Sequence, residues 1–277
     1  MEMNEISQRA EQFLERHGRA IDRARFAYHF AAGSLEQLAS ALAPYQNEDG
    51  GWHGLEVDIE TPASNPFATE LALSICLQAK LPRDHELLQR TVSYLEANQQ
   101  ADGGWQFAPA VYQHELAPWF AHWQFPNLNP SCTTAGLLRQ LGLGSEALHA
   151  KVEALFQQLA NPLDLAGEDF YLARPYAYYF ITDWQHPQRD FYRAGVYWWL
   201  LRQHLAGKLD GEHFFAYMNT PEHYAARMMP ASVIGEHLDQ LVAEQAEDGG
   251  WPSPYNQAWR PWTTTQNLLT LKAFGRI

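Results

Sequence analysis

The chain has 277 residues, 19 basic against 32 acidic for a formal charge of −13, with 46% hydrophobic and 18% charged residues. That length supports a real core, and that composition excludes a disordered chain. The acid excess argues against a nucleic-acid partner, because a phosphate backbone is held by clustered Lys and Arg.

The N-terminus is polar and lacks an apolar signal core, and no run reaches the roughly 18 apolar residues of a spanning helix. The two cysteines, Cys76 and Cys132, both fall in apolar stretches and read as reduced core residues. The expected location is cytoplasmic, with peripheral membrane contact left open. In chain order, Ser34 and Gln37 form a capping-box pair opening a helix. Residues 67–81 are apolar nearly all round, as expected for a helix buried on most sides. Asp84 is the expected N-cap of a one-sided helix with Leu87, Leu88, Val92 and Leu95 on its apolar face. Residues 133–143 repeat the buried type. Behind Ser145, residues Leu148, Val152, Leu155 and Phe156 repeat the one-sided type. Few segments alternate as strands do, so the class is all-α, with outer wet helices and inner buried ones.

A turn recurs three times between these helices: QNEDGGW (46–52), QQADGGW (99–105) and QAEDGGW (245–251). The spacing fits a period of about 50 residues with degraded copies in the longest gap, the mark of stacked supersecondary units. The two Gly permit positive φ or close approach, the Asp accepts main-chain N–H groups, and the Gln ties neighbouring helix ends. After each turn comes Asn or Arg, then Pro, two residues and Thr: Asn65-Pro66 to Thr69, Asn129-Pro130 to Thr133, Arg260-Pro261 to Thr264. Arg174-Pro175 to Tyr178 is a degraded copy. Pro suits the first helical turn, so each inner helix is expected to begin there.

Leu42, Leu95 and Leu241 each stand four residues before the Gln, giving Leu-x3-Gln-x3-Gly-x-Trp. This pattern resembles the QW motif of triterpene cyclases such as squalene–hopene cyclase. The resemblance implies an α/α toroid, a ring of helical hairpins shared by class II terpene cyclases and protein prenyltransferase β subunits, here as one domain over residues 1–277. Class II cyclases of this kind carry Asp-x-Asp-Asp-Thr-Ala at an inner-helix start, the middle Asp being the acid. The matching stretches here hold no Asp. Aligned on Thr69 the acid's place falls to Phe67, and aligned on Thr134 to Cys132. The zinc-binding Asp-x-Cys element of the prenyltransferases is absent, and no other metal pattern stands out. His114, Glu115 and His122 share one loop but read as ordinary polar residues, so no metal and no cofactor are expected.

Candidate chemistry therefore lies in the connecting loops. Catalytic candidates are the carboxylate pairs Asp58 with Glu60 and Glu168 with Asp169. In an extended segment Asp58 and Glu60 point to one side and can share a proton. Glu70, inside an apolar helix, is a third candidate acid if it faces the interior. The longest loop holds Trp119, Phe120 and Trp123. Further on come Tyr171, Tyr176, Tyr178 and Trp198, and Trp262 follows the last Pro. With Phe67 and Cys132, these are expected to line a site whose π faces stabilise cations. Arg174 and Arg260 at inner-helix starts are expected to clamp an anionic group. The leading expectation is a terpene-cyclase-like enzyme that cyclises a hydrophobic, isoprenoid-like small molecule from a non-standard acid. A non-catalytic toroid binding a hydrophobic ligand or protein, and a carbohydrate-active α/α barrel, remain as alternatives.

Overall fold

The computed structural model describes residues 4–277. Its first helices are α1 (Glu5–His17), α2 (Ala20–Phe30) and α3 (Leu35–Leu42). Asn4 caps α1 by accepting from the Ser7 N–H, and the Ser34–Gln37 capping box forms in both directions ahead of α3. A two-residue strand β1 (Ile59–Glu60) precedes α4 (Pro66–Gln78) and α5 (Glu86–Asn98). Then come β2 (Glu115–Leu116), α6 (Pro118–Ala121), α7 (Leu128–Leu141), α8 (Glu146–Leu159) and α9 (Phe170–Tyr179). The chain finishes with α10 (Arg189–Leu205), α11 (Gly211–Phe215), α12 (Tyr224–Met228), α13 (Ala231–Ala243) and α14 (Arg260–Ala273). Among the described residues, β1 and β2 form the only sheet, antiparallel with Ile59 opposite Leu116. The all-α class follows.

Proximity along the backbone groups the chain into two compact units: Met1–Ala41 with Arg193–Ile277, and Leu42–Tyr192. In the second, α7 is the hub, packed against α4, α8 and α9. Its approach to α9 is backbone to backbone, because a Cβ on Gly136 would collide with the Tyr178 carbonyl. The all-round apolar pattern of α4 and α7 matches their burial along most of their length. On α8 the buried face is Leu148, Val152, Leu155 and Phe156, with Ser145 capping the Leu148 N–H. On α5 the buried face is rotated from the expected one. Thr91 and Tyr94 join Leu87, Leu88 and Leu95, while Val92 is half-buried. The cap there is His85, whose ring accepts from the Leu87 N–H, one residue later than the expected Asp84.

The three recurring turns share one geometry. The Gln amide donates to the first Gly carbonyl and to a carbonyl in the first turn of another helix. Gln46 reaches Gly50 at 3.0 Å and Leu87 at 2.9 Å. Gln99 reaches Gly103 at 2.9 Å and Leu148 at 3.0 Å. Gln245 reaches Gly249 and Ile6, both at 2.9 Å. Asp49, Asp102 and Asp248 each accept from the second Gly N–H. The first Gly has φ of +88°, +95° and +94°, and a Cβ there would strike the carbonyl of Arg90, Lys151 or Arg9. Trp52, Trp105 and Trp251 fill the seam, each indole N–H hydrogen-bonded.

Helix starts follow the Pro signals in part. Asn65 caps α4 with Pro66 in its first turn, and Pro261 stands second in α14. Around Asn129 the helix is interrupted, with extended main-chain angles just before Pro130. The degraded copy behaves differently: α9 starts at Phe170 and Pro175 lies inside it. Asp169 sets that start, since its carboxylate accepts from the Tyr171 and Leu172 N–H groups.

Candidate active site

In the unit Leu42–Tyr192, the stretch Leu55-Glu-Val-Asp-Ile-Glu60 turns before it extends. The Ile59 N–H donates to the Glu56 carbonyl, so extended geometry is confined to β1. Leu55 and Ile59 are fully buried. Between these anchors the Glu56 side chain is drawn inward and left 8% exposed. Its Oε1 accepts from the Asp58 N–H at 3.2 Å. Burial lifts the Glu56 pKa to about 8, with the charges of Asp58 and Glu70 adding to the rise and Arg174 opposing it. At neutral pH this carboxyl therefore keeps its proton.

One helix away, α4 carries Glu70, 3% exposed. Its Oε1 accepts from Arg174 Nη2 at 2.6 Å, joining α4 to α9. Burial raises the Glu70 pKa, and the guanidinium pulls the other way. The Arg174 guanidinium also stands 5.2 Å from the Tyr178 ring centroid. The helical pitch puts Arg174 and Tyr178 on one face of α9. Glu70 Oε2 is buried and makes no hydrogen bond.

Aromatic side chains collect beside these groups. Ile59, Phe67, Phe107, Val111 and Phe120 form a buried cluster, against which Trp123 and Phe125 pack. Phe67 meets Phe120 at 4.7 Å and Trp123 at 5.1 Å between ring centroids, both edge-on. The same unit holds a second ring set. Phe156 stacks on Tyr179 at 4.7 Å and meets Tyr176, Phe180 and Tyr192 edge-on. Glu153 accepts from the Tyr179 hydroxyl at 2.6 Å and bonds His186, fixing that set by its polar rim.

No family model matches the chain, and no curated protein sequence does. Solved structures do. Type II terpene cyclase MstE from Scytonema aligns over 96% of this chain and 88% of its own, at 12% identity and a TM-score of 0.58. The chain shares the fold of that cyclase. A variant of that Scytonema cyclase, in complex with its substrate geranylgeranyl dihydroxybenzoate, aligns over 96% and 86%, at 12% identity and a TM-score of 0.57. The α/α-toroid class expected from the repeats is thus the fold shared with these cyclases.

On that cyclase fold the expected site residues take several positions. Phe67, Phe120 and Trp123 come together in the first aromatic cluster, while Trp119 is 48% exposed. Cys132 is fully buried, and burial pushes its thiol pKa far up. Asp58 lies in the turn beside Glu56, and Glu60 is exposed. Glu168 is exposed, and Asp169 is the cap of α9. Tyr171 is exposed. Tyr176 is fully buried, its hydroxyl donating to Asp164 at 2.6 Å. In the other unit, Trp198 is exposed. Arg260 serves the third turn, donating to Asp248 at 2.7 Å and to the Trp251 carbonyl. One face of Trp262 is covered by the buried Arg25 guanidinium at 3.9 Å, so a cation already occupies it. Among the described residues no group of three or more His, Cys, Asp or Glu could hold a metal ion. Nor is any helix there long and apolar enough to cross a membrane.

Glu56 is the site residue that sequence reasoning missed. It sits in the same stretch as Asp58 and Glu60. The usable signal was its place between Leu55 and Ile59, two apolar anchors that pull the intervening chain inward.

Proposed function

We propose that the chain is a terpene-cyclase-like enzyme acting, as a single domain, on a linear isoprenoid or related polyene. Cyclisation starts by proton transfer from Glu56. The observation that carries this reading is a buried carboxyl that holds its proton at neutral pH, three residues from Ile59 of the aromatic cluster, in a type II terpene cyclase fold. That the Scytonema cyclase takes a geranylgeranyl substrate supports the isoprenoid class.

In the first step the Glu56 O–H bond breaks as an alkene π pair forms a new C–H bond, leaving a carbocation and a carboxylate. The Asp58 N–H stabilises that carboxylate. A second alkene closes the ring, and loss of a proton to water ends the sequence. The faces of Phe67, Phe107, Phe120 and Trp123 stabilise the migrating charge by about 0.5 to 2 kcal/mol each. The proton comes from a side chain, so this route calls on no cofactor. The mutual packing of those rings favours a second reading, a module that binds a hydrophobic ligand without turnover. Incubation with geranylgeranyl and farnesyl derivatives, with and without chelator, separates the two. Chelator-insensitive cyclic product supports the enzyme, and retention of unchanged ligand supports the module.

A further inference from the structure

Two buried polar atoms lack hydrogen-bond partners, one on α4 and one in the segment between α6 and α7. Glu70 Oε2 is an acceptor and Trp123 Nε1 is a donor, and neither makes a hydrogen bond. Phe67 and Glu70 are one helical turn apart on α4 and so share a face. Trp123 packs edge-on against Phe67, with ring centroids 5.1 Å apart. A buried carboxylate oxygen and a buried indole N–H left unmade each cost desolvation free energy, and a native site supplies their partners. A hydroxyl meets both needs, donating to the carboxylate and accepting from the indole.

Charge narrows the choice further. Arg174 is the cation nearest this carboxylate, and Glu70 already neutralises it through a 2.6 Å contact. The pair carries no net charge, and the whole chain carries −13. An anionic head group would have to displace Glu70 from Arg174 and leave a buried carboxylate uncompensated. We infer that Glu70 and Trp123 receive the hydroxyl of a neutral isoprenoid alcohol, rather than a diphosphate or a carboxylate. The isoprenoid part rests on the function proposed above, whereas the hydroxyl preference rests on these two atoms. Tyr178 and Arg174, each partly exposed, form the accessible edge of this polar cluster.

The test is equilibrium binding to the full chain, read by tryptophan fluorescence. The ligands are geranylgeraniol, the hydrocarbon of the same skeleton lacking oxygen, and geranylgeranyl diphosphate. The alcohol is expected to bind about tenfold or more tightly than either of the others, as a hydrogen bond to a charged group gives. Trp123→Phe keeps the ring and lowers the preference over the hydrocarbon. Glu70→Gln removes the carboxylate and frees Arg174, so preference shifts toward the diphosphate. A purely structural Glu70 would not move that ratio. Equal binding of alcohol and hydrocarbon would mean that only ordered water fills the site, and would overturn the inference. So would tighter binding of the diphosphate by the unmodified chain. Selective alcohol binding without cyclic product keeps this inference and removes the enzymatic reading. Cyclic product from the diphosphate alone does the reverse.

Discussion

The Gln245 side-chain amide donates to the Ile6 carbonyl at 2.9 Å, across 239 residues of sequence. Through it the last recurring turn grips the first helix within one compact unit. Arg9 of α1 returns the contact by donating to the Ala246 carbonyl at 2.6 Å. The same Gln-to-helix bond recurs at Gln46 and Gln99, so the seams are built alike.

Gly249→Ala is expected to break that seam. The position needs φ of +94°, and an added Cβ meets the Arg9 carbonyl. The expected loss is about 2 kcal/mol or more, since the backbone strain and the clash add. Gly207→Ala is the control. It also has positive φ, with nothing near the added methyl, and is expected to lose only about 1 kcal/mol. Denaturant melts of both variants check the difference.

Glu56 gives stability a pH dependence. Its folded pKa, about 8, lies above the ordinary carboxylate value of 4.5, so the folded state binds the proton more tightly than the unfolded chain. The resulting contribution is fully present below pH 4.5 and is lost as pH rises toward 8, with a slope of about 1.4 kcal/mol per pH unit in that window. Glu56→Gln removes the slope. The variant is expected to gain stability relative to the parent between pH 5 and 8. A stability difference that stays flat over that range would place Glu56 in solvent.

The thiols should be inert in the folded chain. Cys76 and Cys132 are free and buried, and burial pushes Cys76 up to about 12. A thiol reagent at pH 8 is expected to label neither in the native protein and both after denaturation. Fast native labelling of either one would contradict its burial.

Much of the scaffold was legible in the sequence because its determinants are local. Ser34, Asn65 and Ser145 cap helices through bonds to residues three positions on, and the turns carry their own Asp and Gly. The site was less legible because its pairings are long-range. Arg174 reads as an anion clamp on its own, but its partner Glu70 is 104 residues away. Arg260 reads the same way and is engaged by Asp248. Glu56 stayed hidden because its burial comes from a turn, the Ile59 N–H donating to the Glu56 carbonyl, which the residue pattern does not reveal. Proline misled at α9, where the Asp169 cap outweighs the first-turn preference of Pro175.

Proton transfer from Glu56 is tested most directly by cyclisation in deuterium oxide. Incubated with geranylgeraniol, the chain is expected to yield a cyclic product carrying one solvent-derived deuterium on carbon. Glu56→Gln should abolish that product, while Asp58→Asn and Glu60→Gln should retain most of it. A cyclic product without deuterium, or one formed undiminished by Glu56→Gln, would contradict protonation by this carboxyl.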